Sequence, residues 1–217
     1  MASGNYLIVG GSGGIGRAVC AKLETLGHRA IATYSMNKPN MPHSLKLDLS
    51  KNKDIDFCLS KLADIYPELD GIVLLSSPPP VLAMFGRISE EDMQHQLQVN
   101  VIAIQKLISG VVRLFFRQRK SGVIVGVLSK AMGDSHRAAM KNMGAYTISK
   151  YGLLGVLKLL DADYSWLRVE TVSPDFTETA MLNAFDDRFL DQMRKHKPFS
   201  NAEDIADEIL EKLISSS

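Results

Sequence analysis

The chain has too little cysteine for a disulfide scaffold: Cys20 and Cys58 are its only two. Both sit in apolar helical patterns and match no metal or redox spacing, so core packing is expected for each. The histidines (His28, His43, His95, His136 and His196) show no ligand spacing either, and no metal site is expected. Excess charge is also missing, since a formal net charge of +1 gives no global pull toward nucleic acid or anionic membrane. The most apolar stretch, Val101 to Phe116, is interrupted by Gln105, Lys106, Ser109 and Arg113. It falls short of the ~20 continuous apolar residues of a membrane span. Met1 to Val9 lacks the basic start and apolar length of a signal peptide, so a cytoplasmic, reducing setting is expected. No repeat, low-complexity tract or linker divides the sequence, and one domain over residues 1–217 is expected.

What is present is an alternation. Tyr6–Val9, Arg29–Tyr34, Leu45–Asp48, Gly71–Leu75, Val123–Leu128 and Val169–Val172 are short continuous apolar runs, the pattern of strands covered on both faces. Between them lie helical patterns at Ile15–Leu26, Asp54–Ile65, Glu90–Phe116 (in one piece or two) and Tyr146–Tyr164. Strand–helix alternation predicts an α/β fold with a doubly wound, Rossmann-type parallel sheet and helices on both faces. Ser200-Asn201-Ala202-Glu203 reads as a capping box opening a last amphipathic helix.

The first strand runs into Gly10-Gly11-Ser12-Gly13-Gly14-Ile15-Gly16, and a helix follows at once. Glycines in that place let the backbone approach a pyrophosphate, whose charge then sits on the helix N-terminus. The spacing fits GxGxxG, GxxGxxG and GxxxGxG alike, so it marks a dinucleotide site without choosing a family. At the end of the second strand, Thr33-Tyr34-Ser35-Met36-Asn37-Lys38 carries no acid to hold an NAD ribose. Ser35, Asn37 and Lys38 could instead receive a 2′-phosphate, which favours NADP(H) over NAD(H).

Tyr146 and Lys150 stand at i and i+4, one helical turn apart on one face. An ammonium there would stabilise phenolate and lower the tyrosine pKa from near ~10, making the phenol a usable general acid. Spacing alone proves little, because Tyr34 and Lys38 show it too.

The surroundings of the pair resemble the short-chain dehydrogenase/reductase family over nearly the whole chain. Gly122 to Ser129 is similar to the strand that ends in the family's catalytic serine, which makes Ser129 that residue. Val99-Asn100-Val101 matches the family's helix asparagine, and Leu47-Asp48-Leu49 the aspartate that meets adenine. Arg168 to Thr179, with Pro174, Thr177 and Thr179, resembles the strand and turn that hold the nicotinamide. Glu203-Asp204-Ile205-Ala206 looks like the signature of the penultimate helix. The resemblance implies hydride transfer from the nicotinamide to a carbonyl, with Tyr146 giving its proton to the oxygen. Lys150 would bind the nicotinamide ribose, Ser129 would orient the carbonyl, and Asn100 would hold a water in a relay reaching Lys150.

Four features depart from the family pattern. Leu74-Leu75-Ser76-Ser77 replaces NNAG and remakes one wall of the cofactor cleft, with Ser76 on it. Asp175 replaces the glycine of a Pro-Gly turn. The interval from Ser129 to Tyr146 is longer than usual, which raises Ser135 as a rival serine. No seventh strand follows the last helix, so a six-stranded sheet is expected.

Residues 179–198 correspond to a substrate lid, with Met181, Leu182, Phe185, Phe189, Leu190 and Met193 either lining an apolar pocket or packing on their own core. Arg117, Arg119 and Lys120 resemble the docking side of 3-oxoacyl-carrier-protein reductases, which meet an acidic carrier. Ordinary helix-end charge is the alternative. The Asn100 and Tyr146 helices are apolar over more than one stripe, so a homodimer is expected. The function implied is NADPH-dependent reduction of a small carbonyl or acyl-thioester substrate. A sugar epimerase of the family's extended branch fits less well, because no substrate domain fits in this length. A nucleotide-binding sensor or scaffold of the same fold is the alternative, argued from the lost NNAG and Asp175.

Overall fold

In a computed structural model that describes residues 3–215, the apolar runs form one parallel sheet. Its strands are β1 (Asn5–Val9), β2 (Arg29–Tyr34), β3 (Ser44–Lys46), β4 (Gly71–Leu74), β5 (Val123–Val127) and β6 (Arg168–Val172). The order is β3-β2-β1-β4-β5-β6, the six-stranded sheet expected. Met1, on which part of the N-terminal reading rests, lies outside the described residues. The third strand is shorter and earlier than Leu45–Asp48. Leu47 still donates its N–H to the Tyr34 carbonyl at 2.8 Å, but Asp48 turns away to accept from the Ser50 N–H and hydroxyl.

Alternate residues of each strand face opposite layers. Leu7, Val9, Ile72 and Leu74 pack with one set of helices: α2 (Asn52–Ile65), α3 (Glu90–Arg119) and α4 (Gly144–Asp163). Tyr6, Ile8, Val73 and Val125 pack on the other face, against α1 (Gly14–Thr25) and the last helix. Cys20 and Cys58 are free and buried in these two layers, as expected. Winding reverses between β1 and β4, and a parallel sheet opens a crevice at the carboxyl ends of the strands where its winding reverses.

α3 is one continuous helix, the first of the two forms the sequence left open. It carries two stretches of wider π winding, Gln98–Ile102 and Val112–Phe116. By length and mean hydropathy α3 would suffice to cross a bilayer, despite the polar interruptions noted above. Yet 61% of its most apolar window is buried inside the protein, where it covers the sheet.

Between α4 and the end of the chain come α5 (Asp187–His196) and α6 (Ala202–Ile214). The capping box at Ser200 is displaced by one residue. Asn201 is the cap, accepting from the Asp204 N–H at 2.7 Å. Ser200 cannot take that role because its backbone bridges Phe176 and Glu178. Arg168 donates to the carbonyls of Lys212 and Leu213 and so ties the start of β6 to the end of α6.

Candidate active site

Two connected cavities occupy the crevice. The larger, about 560 Å³, is lined by Gly10, Ser12, Gly13, Gly14, Ile15 and Gly16, together with Ser35, Asp48 and Ser76. Gly10 has φ +89°, and a Cβ there would meet the Ser76 nitrogen at 2.8 Å. The turn can therefore close only on glycine. A Cβ on Gly14 would meet Thr179 at 2.9 Å. No side chain caps α1, and no acid sits in its first turn. Its free N–H groups and positive dipole end therefore suit a pyrophosphate. Asp48 is the only carboxylate on this lining. A hydrogen bond from Lys51, and then one from the Ser50 hydroxyl, hold its carboxyl at about 2. Lys38 lies exposed beyond the lining, whereas Ser35 belongs to it.

The smaller cavity, about 300 Å³, holds Ser129, Tyr146, Lys150, Pro174 and Thr177. Ile15, Leu75, Ser77, Thr179 and Met181 line both, so the two form one groove. Tyr146 is 5% and Lys150 2% exposed, which makes them core residues and not a surface pair. Lys150 Nζ donates to the Val127 carbonyl at 2.9 Å and lies 5.6 Å from the centre of the Tyr146 ring.

The electrostatics differ from the expectation that the ammonium lowers the phenol. Burial dominates and pushes Tyr146 up, with the Ser129 hydroxyl working the other way. Burial also pushes Lys150 down to about 8. The physical reason is that both groups lie in the core, where burial penalises the charged form of each. In this arrangement the phenol holds its proton and can donate it, as a general acid must.

Ser129 stands at the end of β5, and its hydroxyl accepts from the Ala131 N–H at 3.1 Å. Ser135 is exposed in the following loop and lines neither cavity.

Asn100 sits behind the groove, 1% exposed, within the first π stretch of α3. Its amide donates to Gln96 Oε1 at 3.0 Å and to Ser149 Oγ at 2.8 Å. Its own oxygen is buried without a partner, the kind of orphan that a bound water satisfies. Gln96 donates in turn to the Pro79 carbonyl at 2.9 Å, and Ser149 to the Tyr146 carbonyl at 2.8 Å. The rebuilt wall after β4, the helix asparagine and the tyrosine helix thus share one buried polar network.

The sequence reading missed Gln96 and Ser149. Their spacings, four residues before Asn100 and one before Lys150, were the available signal. It also missed Asp92, a buried carboxylate in the first turn of α3 with one oxygen left without a partner. Burial raises the Asp92 pKa, with the nearby charge of His95 working the other way.

Residues 179–198 both line the cavity and pack on one another. Met181, Leu182, Phe185 and Met193 line the cavity. Phe185 and Phe189 also stack at 5.7 Å and meet Phe176, which itself stacks on Phe199 at 5.0 Å. Asp175 is ionised: burial opposes its charge, but Lys197 at 2.9 Å and the Phe176 N–H outweigh it. Of the basic helix-end residues, Arg119 is already paired with Glu68 and Asp70.

Comparison with known proteins agrees with this geometry. The profile of the family described as short chain dehydrogenase matches residues 5–188. The 3-oxoacyl-[acyl-carrier-protein] reductase FabG of Escherichia coli (strain K12) is 25% identical over 193 residues, 83% of this chain and 76% of that protein. The Aquifex aeolicus reductase of the same name is 26% identical, covering 94% of this chain and 87% of that one. The acetoacetyl-CoA reductase of Paracoccus denitrificans is 26% identical, over 86% and 78%. Among solved structures, a short chain dehydrogenase family protein from Francisella tularensis aligns with a TM-score of 0.84 at 25% identity, covering 98% of this chain and 91% of that one. Levodione reductase shares the fold, with a TM-score of 0.81 at 15% identity over 96% and 89%. With its glycine turn, its serine and its tyrosine–lysine helix in one groove, the chain belongs to the short-chain dehydrogenase/reductase family, whose enzymes are oxidoreductases using a nicotinamide cofactor.

Proposed function

We propose that this chain is an NADPH-dependent carbonyl reductase in which Tyr146 protonates the carbonyl oxygen as the carbonyl carbon is reduced. The observation that carries this reading is the buried Tyr146 with Ser129 beside it, at the joint between the glycine-lined cleft and an apolar cavity. Bound dinucleotide supplies the hydride. The protein's own work is to place and hold protons. Ser129 orients the carbonyl oxygen, and Tyr146, kept neutral by burial, donates to it. Lys150 binds the nicotinamide ribose, and Asn100 aims an unpaired oxygen at a relay water. Pro174, Thr177 and Thr179 hold the carboxamide end.

The preference for NADPH rests on the absence of an acid after β2, on Ser35 in the lining and on the neutralisation of Asp48 by Lys51. A 2′-phosphate would meet no free carboxylate there. The names of the curated relatives make 3-oxoacyl thioesters the first substrate class to try. An acidic carrier protein would meet Arg117 and Lys120, since Arg119 is spent on its own ion pairs. Exposed Ile102, Ile148, Tyr151 and Leu159 on α3 and α4 supply the face for a homodimer. Free buried cysteines suit a single domain working in a reducing cytoplasm.

Oxidation of NADPH and of NADH, followed by nicotinamide absorbance with acetoacetyl thioesters and a ketone panel, tests the reading. Turnover with a kcat/KM at least tenfold higher for NADPH is expected. The remade wall at Leu75, Ser76 and Ser77 and the charge of Asp175 favour a second reading, a nucleotide-binding sensor. Tight cofactor binding with no carbonyl reduced would select it.

A further inference from the structure

The long interval between Ser129 and Tyr146 builds one wall of the smaller cavity. Lys130 to Met132 form a tight turn, and Met140 donates its N–H back to the Ala131 carbonyl at 2.9 Å. Asp134 then pins Arg137 from both sides. Its carboxylate accepts the Arg137 N–H at 2.9 Å, and its own N–H donates to the Arg137 carbonyl at 2.8 Å. Gly133 has φ +74°, and a Cβ there would overlap the Arg137 carbonyl, so the approach depends on glycine.

The loop thereby sets Arg137 into the lining of the cavity, beside Lys130. The Arg137 guanidinium reaches only the Lys130 carbonyl, at 3.3 Å. Among the described residues neither cation is paired with a carboxylate. Asp175, the one acid on the same lining, is taken by Lys197. The remaining wall is soft and apolar, with Met140, Met143, Met181, Leu182 and Met193 on it. A cavity of this kind combines flexible thioether packing with an unspent planar cation at the rim.

We infer that the substrate carries an oxyanion group, a carboxylate or a phosphate, on a flexible apolar chain, and that Arg137, aided by Lys130, binds this group at the cavity mouth. Arg137 then determines specificity: it fixes the far end of the chain while the carbonyl meets Ser129 and Tyr146. This rests on the carbonyl-reductase reading above, but it concerns binding and can be tested apart from turnover.

The probes are 5-oxohexanoate, its uncharged methyl ester and 5-oxohexyl phosphate. Their kcat/KM values are measured for the wild type and Arg137→Gln with NADPH. Their affinities are measured by calorimetry on Tyr146→Phe and on Tyr146→Phe/Arg137→Gln, again with NADPH. A charge-assisted hydrogen bond predicts at least one anion preferred over the ester, and a tenfold or greater fall of that preference in the glutamine variants. The anion that keeps the larger preference identifies which of the two groups the cavity takes. An equal fall for ester and anion would mean only that the loop has lost its shape, and it overturns the inference. So does a wild type without preference for either anion. Charge-selective binding to Tyr146→Phe, with no reduction by the wild type, would sink the reductase reading and leave the anion site standing.

Discussion

Replacing Lys150 with methionine exchanges a buried ammonium for an uncharged chain of similar length, and its effect depends on pH in a calculable way. Burial holds Lys150 at about 8, against an ordinary lysine value of 10.5. Between these two values the unfolded chain binds a proton that the folded chain does not. Wild-type stability therefore rises with pH through that window. The gain from pH 7 to pH 10 is on the order of 2–3 kcal/mol. Lys150→Met has no such titration. At pH 7 the variant is not simply more stable, because the Val127 carbonyl loses its donor at a cost of about 1–3 kcal/mol. Urea unfolding of both proteins, without added dinucleotide, gives their stability difference across this range. Other titrating groups cancel in that difference. It should move toward the wild type by roughly 2–3 kcal/mol as pH rises from 7 to 10. A difference that stays flat would mean that the ammonium is solvated, and would refute the placement of Lys150 in the core.

Three further outcomes follow from the geometry. Gly16→Ala places a methyl group on the Gly10 carbonyl, so NADPH affinity measured by fluorescence should fall at least tenfold, and an unchanged affinity would remove the glycine turn from the site. Asn201→Ala should cost about 1 kcal/mol of unfolding free energy, and Ser200→Ala clearly less, because the cap of α6 lies at Asn201. Gln96→Leu breaks the link from the Pro79 carbonyl to Asn100. It should lower kcat more than it raises KM, and a change in KM alone would make Gln96 a merely structural residue.

The parallel sheet was legible because buried strands are nearly continuous apolar runs, and β1, β2 and β4 lie within a residue of where those runs predict them. The glycine turn was legible from local spacing, whereas Ser129 and the Tyr146–Lys150 pair stood out only through resemblance to the family. What escaped depends on contacts across the fold. The Asn201 cap follows from a backbone bridge between Ser200 and Thr177 that no local pattern announces. The upward push on Tyr146 follows from burial, which only the packed fold creates. The π winding at Asn100 leaves no mark in an apolar helix that reads smoothly on either side. Arg137 was hidden for a different reason: the long interval was noticed, but only tertiary folding shows that it returns a cation to the cavity.

Tyr146→Phe tests the central claim most directly, through NADPH affinity and ketone reduction measured on the same preparation. A buried phenol serving as proton donor predicts affinity kept within a few-fold and reduction slowed about a hundredfold or more. Reduction at the wild-type rate without that hydroxyl would contradict the account.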